Sequence, residues 1–189
     1  MNVLPETVTS ARLTMRVWRH EDAPALSRAV NESLEHLHEW MPWASADTDV
    51  EHYEGFIEER RVQWRDGGDA TYGVFAGDLA VGGTGLHRRA GPGILEIGYW
   101  IHVDHVRRGY ATELSSALTD AAFGVEGIDR VEIRHDRANV RSRAVPERLG
   151  FTLVDERPGE RKTSGDVGVD CTWAVERDAW LARPRLEAS

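Results

Sequence analysis

The chain has a single cysteine, Cys171, among its 189 residues. One thiol cannot form an intramolecular disulfide or a thiolate metal cluster, which agrees with a reducing compartment. The sequence also lacks an apolar run of the roughly 18 residues that a membrane span needs, and we expect no membrane association. Its first twenty residues lack the basic start and apolar stretch of a secretory signal. These absences together predict a cytoplasmic location.

Basic residues are scarce relative to acidic ones. With 23 Lys and Arg against 32 Asp and Glu, the formal net charge is -9 and the sequence pI is near 5.4. This balance disfavours direct nucleic-acid binding and favours cationic partners such as amines. The length and the apolar fraction of 41% are typical of one soluble domain. We therefore predict a single domain over residues 1–189, with a loose tail after about residue 181.

Hydrophobic periodicity predicts an α+β fold around one mixed sheet, with the order strand, three helices, three strands, helix, strand, helix, two strands. The predicted strands are Arg12–Val17, Tyr72–Ala76, Leu79–His87, Ile94–Ile101, Arg130–His135, Thr152–Arg157 and Val167–Val175. The predicted helices are Glu21–Asn31, Ser33–Trp40, a longer one capped by Asp47 or Thr48, Gly109–Val125 and Val140–Leu149.

One segment, EIGYWIHVDHVRRGYAT from Glu96 to Thr112, passes from an apolar strand through a polar turn into a strongly amphipathic helix. The first backbone N–H groups of such a helix lack intrahelical acceptors, and small residues there let a pyrophosphate approach. Arg107 and Arg108 add positive charge. An ordinary strand-to-helix turn would show the same glycine. Local chemistry therefore leaves open whether this segment binds a pyrophosphate or is a turn without a ligand.

Three segments resemble the GNAT acetyltransferase superfamily. Val106 to Ala111 fits its cofactor motif, Gln/Arg-x-x-Gly-x-Gly/Ala, at the glycine and the alanine, although Val106 replaces the first residue. Asn139 to Ser142, followed by Glu147 to Phe151, is similar to the second cofactor helix of the family. Glu176 to Trp180 is similar to the ending of the RimJ/RimL branch, whose members acetylate protein N-termini. The resemblance implies a mostly antiparallel sheet of about seven strands flanked by helices.

The resemblance also implies acetyl-CoA as donor, no metal, and direct transfer without a covalent enzyme intermediate. A bulge near Trp100 to His102 is expected to aim an N–H group at the thioester carbonyl. The residues expected to bind the cofactor are Trp100, Ile101, His102, Val103, Arg107, Arg108, Gly109, Tyr110, Ala111, Thr112, Asn139 and Ser142.

The departing thiolate needs a proton donor. Many members of the family place a tyrosine four residues after the Ser142 position, but Pro146 stands there in this chain. Members of the RimJ/RimL branch use the serine, and the resemblance therefore assigns the role to Ser142. Pro146 cannot donate an N–H to the Ser142 carbonyl, so we also predict a kink in this helix.

The attacking amine must lose a proton. The family commonly carries a carboxylate on the strand of Glu96, which makes Glu96 our candidate general base. Glu160 is its rival, because the RimL-like branch has a carboxylate near that place. Water alone is the third alternative.

The acceptor side is expected in the segment from Leu34 to Trp43, which is similar to a RimJ/RimL segment. Glu35, Trp40 and Trp43 are the predicted substrate-binding residues, although both tryptophans could instead pack helices against the sheet. His36 and His38 have metal-like spacing but no third ligand nearby, so solvated or packed histidines are the preferred reading.

A protein or peptide N-terminal α-amine is the predicted acceptor. The alternatives are a small amine, such as a polyamine, amino acid, antibiotic or toxin, and a non-catalytic acetyl-CoA-binding sensor. The glycines of Gly82 to Gly85 do not indicate a dinucleotide site, because they lie in strands and no helix follows. The family often forms dimers, and a homodimer stays open as an expectation.

Overall fold

A computed structural model describes residues 3–183 of the chain. Within that range eight strands form one sheet in the order β1-β2-β3-β4-β5-β6-β8-β7. The strands are β1 (Thr7–Thr9), β2 (Thr14–Val17), β3 (Ala70–Ala76), β4 (Leu79–His87), β5 (Ile94–Ile101), β6 (Arg130–Asp136), β7 (Thr152–Pro158) and β8 (Val169–Glu176). The α-helices are α1 (Ala23–Glu32), α2 (Leu34–His38), α3 (Val50–Arg65), α4 (Tyr110–Phe123), α5 (Val140–Leu149) and α6 (Arg177–Ala182).

The sheet splits between β5 and β6. These two strands are parallel, and their pairing runs only from Ile94 with Arg130 to Ile97 with Ile133. On its other side β5 stays paired with β4 up to Gly82 and Ile101. The second half of β5 therefore has one open edge, which creates a gap through the sheet.

Two apolar clusters cover the two faces of the sheet. On one face Leu114 of α4 and Val145 of α5 share a cluster with Leu95 and Ile97 of β5. On the other face α1, α2 and α3 share a cluster that Trp100 of β5 also contacts. Because side chains alternate along a strand, β5 presents Tyr99 to the first cluster and Trp100 to the second.

The helices beside the gap begin and end at residues suited to those positions. Gly109, with a φ of 79°, precedes α4 in the left-handed conformation that glycine adopts without strain. The Asn139 side chain accepts the Ser142 N–H at 3.0 Å and caps α5, a bond worth about 1 kcal/mol. Gly150, also left-handed, ends α5. Gly109 and Asn139 thus place the starts of α4 and α5 at the edges of the gap.

The predicted fold class is confirmed, with corrections in detail. The sheet has eight strands and not about seven, because Thr7–Thr9 adds a short edge strand. Helix α6 follows β8, and its Trp180 is buried against Phe151. The tail predicted after Leu181 lies largely outside the described residues. Within residues 3–183 no helix is long and apolar enough to cross a membrane.

The predicted bulge is wrong in its position. Pairing between β4 and β5 is continuous through Trp100 and Ile101. The register shift lies one strand away, where Val74 pairs with Gly82 and Phe75 with Ala80, so Val81 is the extra residue. Val81 accepts the His102 N–H at 2.9 Å, and the bulge therefore sits beside the end of β5.

Candidate active site

A cavity of about 600 Å³ lies between α4, α5 and the open edge of β5. We call it the donor cavity. The sequence-predicted cofactor residues that line it are Trp100, Ile101, Arg107, Gly109, Tyr110, Ala111, Thr112, Asn139 and Ser142. Most of the predicted cofactor residues therefore line one cavity.

The other three predicted cofactor residues lie beside the cavity. The buried His102 contacts Glu32 through Nε2 at 3.0 Å. The Val103 N–H donates to the Ser33 hydroxyl, and Arg108 donates to the Asp104 carbonyl. Their place in the cofactor site stays a prediction, and the geometry gives them a role in shaping the turn before α4.

The start of α4 presents free donors to the donor cavity. The first intrahelical bond at this end joins the Glu113 N–H to the Gly109 carbonyl at 3.0 Å. The N–H groups of Tyr110, Ala111 and Thr112 precede it and have no acceptor among residues 3–183. Such a cluster, at the positive end of the helix dipole, binds anions.

The turn before α4 has an unusual backbone. Arg107 has a φ of 63°, and among the described residues it is the one non-glycine with positive φ. This conformation costs about 1–2 kcal/mol outside glycine. Arg107 and Gly109 both adopt it, and both line the donor cavity. Retained strain of this kind is often found at ligand sites.

The donor cavity is basic although the chain is acidic. Its charged lining residues are the arginines Arg107, Arg141 and Arg148, with no carboxylate. Burial and the charge of Arg141 lower the pKa of His36, which also lines the cavity. Burial and Arg108 likewise lower the pKa of His105. The local field therefore favours an anionic ligand.

Ser142 is joined to a residue that the sequence analysis missed. The Tyr99 hydroxyl lies 3.0 Å from Ser142 Oγ and donates to the Ser142 carbonyl oxygen at 3.2 Å. Pro146 leaves that carbonyl without its helical donor, and the phenol of β5 replaces the missing N–H. Helix α5 is continuous across this point, and the predicted kink stays a prediction.

The Tyr99 phenol keeps its proton at neutral pH. Burial raises the pKa of Tyr99 to about 12, against the smaller opposing effect of its bond to Ser142. A neutral phenol has one proton to donate and can also accept. That proton can go to only one Ser142 oxygen at a time: when it turns from the carbonyl to Oγ, the serine proton is free to point into the donor cavity. Tyr99 and Ser142 thus form a two-hydroxyl chain.

A second cavity, of about 560 Å³, opens on the sheet face that carries α1 and α3. We call it the acceptor cavity. It meets the donor cavity at six residues that line both: Trp40, Met41, Tyr99, Trp100, Asn139 and Ser142. The Tyr99–Ser142 pair therefore stands where two ligands entering from opposite faces would touch.

The backbone at this junction offers a donor for a developing oxyanion. A Cβ added at Gly82 would lie 2.3 Å from the Trp100 carbonyl oxygen, so that carbonyl points toward β4. In the same trans peptide group the Ile101 N–H points the opposite way, toward the gap. Ile101 lines the donor cavity. No bulge in β5 is needed for this orientation.

The floor of the acceptor cavity is made of three glycines, Gly83, Gly85 and Gly98, which we call the glycine floor. A Cβ at Gly83 would lie 2.4 Å from Nε1 of Trp100, so the indole covers that residue. Trp43 contacts the Trp100 ring edge-on, with centroids 6.2 Å apart. Because the floor carries no side chains of its own, the rings of Trp100 and His87 can lie directly against it.

The predicted acceptor residues are placed unequally. Trp40 and Trp43 both line the acceptor cavity, and Trp43 is 52% exposed. Glu35 is exposed and is not among the lining residues of either cavity. Substrate binding by these residues stays a prediction, and for Glu35 the geometry offers no contact that supports it.

Glu96 lines the acceptor cavity, but its carboxylate is engaged. Arg89 contacts both oxygens, through Nη2 to Oε1 and through Nε to Oε2 at 3.1 Å. Arg134 Nε lies 3.5 Å from Oε2. An amine proton could be accepted only after one of these ion pairs opens. Glu160 is exposed on the segment after β7. Both assignments as general base stay predictions.

Comparison with known proteins agrees with this geometry. A family model described as "Acetyltransferase (GNAT) domain" matches residues 12–152. YdaF of Bacillus subtilis (strain 168), for which ribosomal N-acetyltransferase activity is the proposed function, is 30% identical over 146 residues, or 74% of this chain and 77% of YdaF.

Solved structures share the fold at lower identity. RimL, a ribosomal L7/L12 α-N-protein acetyltransferase in complex with coenzyme A, has a TM-score of 0.83 at 22% identity and covers 92% of this chain and 99% of its own. MccE, a microcin C7 self-immunity acetyltransferase in complex with acetyl-CoA and AMP, has a TM-score of 0.81 at 17% identity, covering 92% and 98%. At these identities the structures show the fold alone. No cluster of three or more potential metal ligands occurs in residues 3–183.

Proposed function

The chain belongs to the GNAT acetyltransferase family, and from that membership we propose that it transfers acetyl from acetyl-CoA to the N-terminal α-amine of a protein or peptide. The observation that carries the proposal is the junction of the two cavities at Tyr99 and Ser142. A donor and an acceptor bound on opposite faces of the sheet would meet at this pair, which carries the two hydroxyl groups of the shared lining.

Three features of the donor cavity suit the CoA moiety. The free N–H groups of Tyr110, Ala111 and Thr112 would hold its pyrophosphate, and the arginine lining would offset its charge. The open edge of β5 would pair with its amide arm. Acetyl-CoA supplies the thioester that the amine attacks.

At the junction each group of the chain has one task. The Ile101 N–H would donate to the thioester oxygen as charge develops on it. Ser142 would give its hydroxyl proton to the departing sulfur, Tyr99 would pass its own proton to the serine oxygen 3.0 Å away, and solvent would return a proton to Tyr99 before the next turnover. In this role Tyr99 stands in for the tyrosine that Pro146 excludes from α5.

A small amine is the second candidate acceptor, and one contact favours it. The Gly165 N–H donates to the Glu39 carbonyl at 3.1 Å, which joins the segment after β7 to the end of α2. This contact bounds the acceptor cavity on one side. A peptide must therefore enter along the remaining open side, past the exposed Trp43.

Thiol release from acetyl-CoA tests the proposal. We expect release with short N-terminal peptides, including ribosomal-protein N-termini, and a fall of about 100-fold or more for Ser142→Ala. Ser45→Ala, at an exposed position outside both cavities, is the control. Release with small amines alone would favour the second candidate. Tight acetyl-CoA binding without release on any amine would favour a sensor.

A further inference from the structure

His87 and Asp69 form a hydrogen-bonded dyad at the acceptor cavity. His87 Nδ1 lies 2.9 Å from Asp69 Oδ2, and the other carboxylate oxygen accepts the Arg88 N–H at 2.8 Å. Both side chains are about four-fifths buried, at 20% and 22% exposed. Since the carboxylate can only accept, the neutral imidazole carries its proton on Nδ1 and presents a lone pair on Nε2.

Asp69 is suited to hold this tautomer. Its burial alone would raise the pKa of the carboxyl, but the Arg88 N–H, the hydrogen bond to His87 and the charges of His87 and Arg89 together lower it. Asp69 therefore stays ionised at neutral pH. A fixed carboxylate behind an imidazole is the usual arrangement for orienting a general base.

The free nitrogen of His87 points over the glycine floor. A Cβ at Gly85 would lie 2.7 Å from His87 Nε2, and one at Gly98 would lie 3.5 Å from it. Nε2 has no hydrogen-bond partner in the described part of the chain. Gly98 directly precedes Tyr99, and both His87 and Asp69 line the acceptor cavity. The imidazole thus faces the floor that leads to the junction.

The other titratable groups of this cavity are less suited to accept a proton. Glu96 is bound by two arginines. His135 accepts the Trp173 indole N–H on Nε2 and donates from Nδ1 to the Asp136 carbonyl, so both of its nitrogens are used. The charged or titratable groups that share the cavity with the dyad come from α3, β3, β5, β6 and the segments after β4 and β7, and they are His52, Tyr53, Arg60, Tyr72, Arg89, Glu96, Tyr99, Arg134, His135, Asp136 and Asp166.

We propose that His87, oriented by Asp69, is the general base that takes the proton from the acceptor amine, directly or through one water. The inference rests on the proposed acetyl transfer and names the base for it. The amine nitrogen forms the new bond to the acetyl carbon as the carbon–sulfur bond breaks. Its proton moves to His87 Nε2 and then to solvent, while Ser142 supplies a separate proton to sulfur. His87 and Ser142 would act from opposite faces of the sheet.

The test is the pH dependence of kcat/KM for thiol release by His87→Gln, with a peptide whose α-amine has a pKa near 8. At pH 7 we expect a loss of about 100-fold. At pH 9 the amine is already neutral, and the loss should shrink to about tenfold. His20→Gln, at an exposed histidine outside both cavities, should follow the wild type.

Three further variants keep the test decisive. His87→Ala should regain activity with added imidazole, which a purely structural role would not allow. Asp69→Asn, a positioning variant, should show a smaller loss with the same shrinkage at high pH, and it carries the test if His87→Gln does not fold by its melting curve. Glu96→Gln is the direct comparison with the rival base.

Different results would overturn the proposed acetyl transfer and the assignment of His87 as the base. If the wild type releases thiol and His87→Gln stays within about twofold of it at every pH, the base assignment is overturned and acetyl transfer stands. If a large pH-dependent loss appears in Glu96→Gln and not in His87→Gln, the base is Glu96. If the wild type releases no thiol with any amine, the proposed function and the base assignment fall together.

Discussion

The donor and acceptor cavities are similar in size but are built differently. The donor cavity is lined by four short segments, and its backbone N–H groups, cap and small residues come from two of them, around Gly109 and around Ser142. The acceptor cavity draws side chains from helices, strands and loops spread between Trp18 and Asp166. A constant ligand can be held by a short motif, whereas acceptor choice depends on many separate positions. The two sides should therefore respond to substitution independently, except at their junction.

Tyr99→Phe tests the junction and has the largest expected effect in this series. It removes the hydroxyl that pairs the Ser142 side chain and carbonyl. We expect kcat to fall by about 100-fold with little change in acetyl-CoA affinity, because the proton chain to sulfur is cut. Steady-state kinetics and calorimetric binding measure the two quantities.

Thr119→Val is the matched control for Tyr99→Phe. The Thr119 hydroxyl also donates to a helix carbonyl, that of Ser115, at 2.7 Å, but it lies outside both cavities. Both variants should lose about 1 kcal/mol of unfolding free energy. Equal kcat values for the two would remove Tyr99 from the reaction.

Gly109→Ala should affect the donor side alone. The residue has a φ of 79° at the start of α4, where a side chain is strained and would crowd a bound phosphate. We expect the Kd for CoA to rise about tenfold, equivalent to about 1.4 kcal/mol, with the KM for the acceptor unchanged. Gly77→Ala, with a φ of 61° in the turn between β3 and β4, should lose similar stability and keep its CoA affinity.

Asp136→Asn should affect the acceptor side more than the donor side. Asp136 accepts the N–H groups of Ala138, Val167, Gly168 and Val169, which ties the segment before β8 to the start of α5. The variant should raise the acceptor KM several-fold, leave CoA affinity unchanged and lower the unfolding free energy by about 1–3 kcal/mol.

The stability effect of Asp136 should depend on pH. Burial would raise the pKa of Asp136, but its four backbone bonds outweigh burial and lower it. A carboxyl with a depressed folded-state pKa stabilises above its unfolded pKa of about 3.9 and loses that contribution as the pH falls further. The stability gap between wild type and Asp136→Asn should shrink between pH 5 and about pH 2. A constant gap in urea unfolding, with Asp47→Asn as control, would contradict this.

The sequence predicted the parts of the fold that carry a long, regular pattern. Strands Leu79–His87 and Ile94–Ile101 and helix Val140–Leu149 begin and end as predicted. The three-residue strand Thr7–Thr9 is too short for alternation to be recognised. The short helix α6 depends on the packing of Trp180 against Phe151, which no local pattern indicates.

The predicted site residues lie in local sequence patterns, whereas the missed ones are brought together only by the tertiary fold. The donor residues lie in contiguous motifs, and most of them line one cavity. Tyr99 meets Ser142 across 43 positions through the packing of α5 against β5, and His87 meets Asp69 across 18 through the register of β3 and β4. A local signal did exist, because glycines at 83, 85 and 98 alternate in two neighbouring strands and mark a bare face. Such a face is typical of a place that a ligand or a large side chain covers.

A structure of the protein with a bound bisubstrate analogue tests the two-cavity account most directly. In this analogue the α-amine of a peptide is joined through an acetyl bridge to the CoA sulfur. We predict the pyrophosphate at the start of α4, the sulfur within hydrogen-bond distance of Ser142 Oγ, and the peptide nitrogen over the glycine floor between Trp100 and His87. A peptide that leaves on the same face of the sheet as CoA, with the sulfur away from Ser142, would contradict the account.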